Sequence, residues 1–116
     1  MAKKITTKEN LTPLQRILQT VGLFRDNDVS SAEVSVAAFQ LTVASADPNN
    51  QPTDLVHIEN GIKRLGGIAV QRDGSFVENF IEALDKGEAY AAEQGGTAVP
   101  DVVEEVKKIL RYDYAA

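Results

Sequence analysis

Val34 to Ala46 reads VSVAAFQLTVASA, a run without charge in a chain of which 25% is Asp, Glu, Lys or Arg. A segment so bare of charge is expected to be buried, and its conformation decides the fold class. Ser30-Ser31-Ala32-Glu33 ahead of it has the form of a capping box, and alanines at 32, 37, 38, 44 and 46 favour helix. Val34, Val36, Thr42 and Val43 are β-branched and weaken that preference. Wound as a helix, the run places Ser31, Ser35, Ala38, Thr42 and Ser45 on one small-residue face. Val36, Phe39 and Val43 then make one apolar flank, and Val34 and Leu41 the other. As a strand over 33–45, Val34 and Val36 alternate, the phase slips at Ala37-Ala38, and a bulge restores it at Phe39, Leu41 and Val43. The helix fits better, so a mainly α single domain is expected; the strand would make the chain α+β.

Working outward, Thr12-Pro13-Leu14-Gln15 combines a capping hydroxyl, proline at the first helical position and a reciprocal Gln. Leu14, Ile17, Leu18 and Val21 share a face of the helix that follows, with Gly22 as a natural stop. After the run, Asp47-Pro48-Asn49-Asn50-Gln51-Pro52 is a strong loop signal. Leu55, Ile58, Ile62 and Leu65 then form a helical stripe beginning near Thr53 or Asp54. Gly66-Gly67 reads as its end. Ile68 to Val70 and the turn Arg72-Asp73-Gly74-Ser75 point to a short β-hairpin near 67–80. Ser75-Phe76-Val77-Glu78 offers a competing capping box, with Phe76, Val77, Phe80, Ile81 and Leu84 on a helix running to Gly87 and extensible over 88–94. Gly95-Gly96 stops it. Pro100-Asp101 opens a last helix with Val102, Val103, Val106, Ile109 and Leu110 on its buried side and Glu104 spaced to pair with Lys108. The expected architecture is a small bundle of about five helices over 10–116, preceded by a flexible arm at 1–9.

At 116 residues the chain is large enough for a core without staples. It contains no cysteine, which excludes disulfides, thiolate metal sites and thiol nucleophiles. The net charge of −5 argues against an extended phosphate-tracking surface. Lys3 and Lys4 are followed by Thr6, Thr7, Lys8 and Glu9, where a secretory signal needs an apolar stretch. A cytoplasmic or virion location is expected, with no export through a signal peptide and no membrane span.

His57 is the sole histidine, and on a helix it shares a face with Asp54 at metal-ligand spacing. A structural zinc site needs about four protein ligands, however, so neither metal nor cofactor is expected. No serine-hydrolase elbow, phosphate loop or zinc-protease helix motif occurs. The acids are numerous but scattered, and a carboxylate-dependent enzyme ranks third among the readings. Lys63, Arg64 and Arg72 surround a helix followed by the expected hairpin. That order is generically similar to winged-helix domains, which implies a small DNA-binding regulator with the helix in the major groove and Arg72 in the wing. Asp54, Glu59 and Asp73 on the same surface oppose it.

The favoured expectation is a non-catalytic protein-binding or assembly subunit that self-associates, as a structural component of a larger cellular or viral particle. Its adhesive residues are expected to be Lys3, Lys4 and Ile5 in the arm and Tyr112 and Tyr114 near position 116. The partner is then protein, a second copy of the chain or a larger assembly, rather than nucleic acid.

Overall fold

The computed structural model describes residues 11–95 and 101–110, and among these every regular element is helical. They are α1 (Pro13–Leu23), α2 (Ser31–Ser45), α3 (Pro52–Arg72), α4 (Gly74–Glu93) and α5 (Asp101–Leu110). The mainly α bundle expected from the sequence is the fold.

The uncharged run is α2, and it is the central helix. Its start is the expected capping box: the Ser30 N–H donates to Glu33 Oε1 at 2.8 Å and the Glu33 N–H to Ser30 Oγ at 3.1 Å. The same reciprocal pair joins Thr12 and Gln15 at the head of α1. Val34, Ala37, Ala38, Leu41, Thr42 and Ser45 are buried against the other helices. The two hydroxyls tolerate burial because each donates to its own helix, Thr42 to the Ala38 carbonyl at 2.8 Å and Ser45 to the Thr42 carbonyl at 2.6 Å. The small-residue face therefore packs within the domain, chiefly on α4. There the helices meet so closely that a Cβ on Gly87 would lie 2.8 Å from Thr42 Cβ and 3.1 Å from the Phe39 carbonyl oxygen.

Burial of the run is not complete. Val34 and Leu41 are enclosed, but Val36 on the opposite flank is 56% exposed. A helix that is apolar all round needs neighbours on every side, and α1, α3 and α4 supply them on all but one.

The expected hairpin near 67–80 is absent. α3 runs through Gly66-Gly67 to Arg72, and Ile68 and Ala69 are core residues. Two helical glycines cost about 1 kcal/mol each relative to alanine, whereas burying an Ile side chain returns about 1.5–3 kcal/mol, so the burial of Ile68, with Ala69 beside it, holds the helix intact. α4 starts earlier than the Ser75 box implies. Asp73, with extended backbone, is both the last cap of α3 and the first cap of α4, and its Oδ1 accepts from the Phe76 N–H at 2.9 Å. Phe76, Val77, Phe80, Ile81 and Leu84 are buried as expected, and the helix continues past Gly87 to Glu93. In α5, Val103 and Leu110 are buried, but Ile109 is exposed, contrary to its assigned side.

The two kinds of glycine separate cleanly in their response to substitution. Gly87→Ala pushes a methyl into Thr42 and backbone oxygen, and is expected to destabilise by about 2 kcal/mol despite its helix propensity. Gly67→Ala, where a Cβ meets nothing within 4 Å, is expected to stabilise by about 0.5–1 kcal/mol. Urea denaturation of the two variants checks both signs.

Candidate functional site

The outward flank of α2 is bordered by a groove on each side. One, of about 630 Å³, lies between α2 and α4; Val36, Phe39 and Ala83 are apolar groups in its wall. Its polar seam joins the helices: Ser35 Oγ donates to the Asn79 carbonyl at 3.4 Å, and Asn79 Nδ2 donates to Ser31 Oγ at 3.0 Å. Glu82 and Lys86, an exposed i,i+4 pair at 3.4 Å, also line this groove. Beyond it the Phe39 ring stands against Tyr90, centroids 5.7 Å apart and planes tilted by 52°. The second groove, of about 610 Å³, lies between α1 and α2 and shares Phe39 and Gln40 with the first. Phe39 and Gln40 are thus the ridge between them.

The sequence-derived candidates fall elsewhere. Lys3, Lys4, Ile5, Tyr112 and Tyr114 lie outside the described residues. Arg64 and Arg72 are brought together, but onto the α1–α2 connection. Arg64 Nε donates to the Val21 carbonyl at 3.2 Å and its Nη2 to that of Phe24 at 2.6 Å, while Asp26 lies 3.5 Å away. Arg72 Nη1 donates to the carbonyls of Asp26 and Val29 at 3.1 and 2.8 Å, and its guanidinium sits 4.8 Å from the Phe76 ring centroid. These arginines donate to carbonyls at the end of α1 and in the turn after it, that of Val21 being shared with the Phe24 N–H. Lys63 remains exposed on α3, and the wing on which the DNA-binding reading relied is absent among the described residues. His57 is exposed, and Asp54 is engaged in the first turn of α3, where its Oδ2 accepts from the Gln51 N–H at 2.9 Å. Among the described residues no group of three His, Asp or Glu side chains is arranged to hold a metal.

A cluster that sequence reading passed over joins α4 to α5. Lys107 is only 4% exposed, and its ammonium meets Asp85 at 2.8 Å, Glu104 at 3.3 Å and Glu88 in close contact. Glu104 pairs here with Lys107 rather than with Lys108. Burial lowers the Lys107 pKa, but hydrogen bonds to Asp85 and Glu88 outweigh it and hold the ammonium above its ordinary value. Burial, and then Glu104 beside it, raises the Glu88 carboxyl. The Glu104 carboxyl is lowered, first by its hydrogen bond with Glu88 and then by Lys107. Three carboxylates around the ammonium favour its protonated form, whereas imine or acyl chemistry needs the free amine. Asp85 and Glu88 on α4 hold Lys107 on α5, so the cluster clasps α5 to α4. Periodicity carried the signal, because 103, 107 and 110 recur at buried spacing.

No family model matches the chain, and no curated protein or solved structure is significantly similar to it.

Lys107→Met leaves its carboxylates without a cation. It is expected to cost about 2 kcal/mol, less than a fully buried pair because Asp85 and Glu104 keep contact with water. The stabilisation from Glu104, whose folded pKa is depressed, is present above its ordinary 4.5 and lost as pH falls through the folded value. The stability difference between the parent and Glu104→Gln is therefore expected to shrink below pH 4.5, as measured by urea denaturation at a series of pH values.

Proposed function

We propose that this chain is a non-catalytic assembly module that self-associates through the outward flank of α2. The observation that carries the reading is Val36, 56% exposed on a helix whose other faces are core, beside an apolar groove. A large aliphatic side chain left in water at the lip of a concavity is the anchor that an interface buries. A second copy suits the charge pattern of this groove. Glu82 and Lys86 stand one turn apart in its lining, so a two-fold arrangement sets Glu82 against Lys86 of the other copy and the reverse.

A single helix face with its groove is at the small end of interface sizes, which makes the association reversible. Sedimentation equilibrium from micromolar to millimolar protein is expected to show a monomer–dimer equilibrium. Val36→Glu abolishes it without lowering the melting temperature. Glu82→Lys weakens it, and the double reversal Glu82→Lys with Lys86→Glu restores it. A strict monomer over the whole range refutes the proposal.

A further inference from the structure

α5 is ten residues long, and a helix shorter than about 12–15 residues is marginal in water by itself, so its helical state depends on docking. Its inward face carries Val103, Val106, Lys107 and Leu110. Lys107 is the exception in that row. Burying an ammonium is costly, and pairing with Asp85, Glu88 and Glu104 offsets that cost more than it adds to the docking. The net hold on α5 is then chiefly that of three aliphatic side chains. The other four helices close on one another without it: α1 packs on α2 and α3, Gly87 of α4 meets Thr42 of α2, and Leu41 of α2 meets Gly61 of α3. Among the described residues α5 packs chiefly on α3 and α4. There a Cβ on Gly66 would lie 3.7 Å from both Val106 Cγ1 and Phe80 Cζ, so Val106 lies over the surface that Gly66 and Phe80 share.

We infer that α5 is a latch helix, which undocks and unwinds as one unit while α1–α4 stay folded, with the Lys107 cluster as its catch. The catch makes the opening cooperative. Lys107 and Glu104 ride on α5, Asp85 and Glu88 on α4, and an ammonium that loses the α4 carboxylates cannot stay buried, so partial withdrawal of the helix is disfavoured. Cooperative opening of such a segment below the free energy of global unfolding is expected where a short element rests on a core that closes without it. Opening uncovers the Gly66 and Phe80 surface of α3 and α4, which the closed latch keeps from water.

Native-state hydrogen exchange of the full chain, read amide by amide by NMR at neutral pH in water and in dilute urea, tests the latch. The amides of Glu105 to Leu110 are expected to share one protection factor, about a hundredfold below that of the core amides of α2, and to lose little of it in urea. The α2 amides, which need global unfolding, fall steeply in urea. Leu41→Val loosens the contact of α2 with α3, which the open state keeps, and is expected to lower α2 protection about tenfold while leaving that of α5 unchanged. Lys107→Met weakens the closed state alone and is expected to lower α5 and α2 protection by the same factor, about tenfold or more, since both openings break the cluster. Four results overturn the inference: α5 amides with the protection and urea dependence of α2, which makes one cooperative unit of the whole fold; protection graded along α5, which marks fraying; a Leu41→Val effect equal in the two helices; and α5 protection that Lys107→Met leaves unchanged. The parent chain in urea decides the first two without any variant.

Discussion

Gly87 lies against Thr42 and the Phe39 carbonyl with no room for a methyl between them, and the arrangement of the remaining helices follows from that approach. Backbone comes this near to backbone only where side chains are small, which is why the facing residues of α2 are Ala38, Thr42 and Ser45. The Thr42 and Ser45 hydroxyls bond within the helix, so at this end of the seam they need no polar partner from α4, whereas Ser31 and Ser35 at the other end meet Asn79. With α2 fixed on α4, Leu41 is left to meet α3. Leu41 reaches the surface of Gly61 on α3, where an added Cβ would touch its Cδ1 at 2.9 Å. The flank carrying Val36 is the remainder, exposed because the circumference of α2 exceeds what three neighbouring helices cover.

Much of this was legible in the residues. The capping boxes at Thr12 and Ser30, the helical state of the uncharged run and the stripes of α3 and α4 follow from local chemistry and periodicity, and the structure carries them all. The hairpin expected near 67–80 was a local inference from Gly66-Gly67 and Asp73-Gly74, and local signals lost to burial. Ile58, Ile62, Leu65 and Ala69 continue one stripe across the glycines, and that longer period outweighs the punctuation. The two flanks of α2 were equally visible as faces. Which of them points outward depends on how α1, α3 and α4 are placed, and nothing within residues 34–46 encodes that.

Charge was harder to read than apolar pattern, because the same residue serves opposite ends according to what lies opposite it. Arg64 and Arg72 suggest a surface for phosphate, yet both, though exposed, are engaged by carbonyl oxygens of residues 21–29. Lys107 sits at a buried position of α5, where an ammonium is tolerated only because carboxylates from α4 and α5 surround it. In both places cations of an acidic protein tie down segments that also place apolar residues in the core, Phe24 and Val29 from the α1–α2 connection and Val103 and Leu110 from the ten-residue α5.

Asp73 is the whole of the connection between α3 and α4, closing one helix and opening the next. A corner of one residue has no slack to absorb a change of register. Inserting or deleting a single residue in the second half of α3 turns everything beyond it by about 100°, carrying Phe80 and Gly87 away from the helices they face. The connections at 24–30 and 46–51 are several residues long, so a change of length there need not turn the helices they join. Among the connections lying wholly within the described residues, tolerance to length variation is therefore greater at the ends of α2, while α3 and α4 behave as one bent rod whose length is held constant.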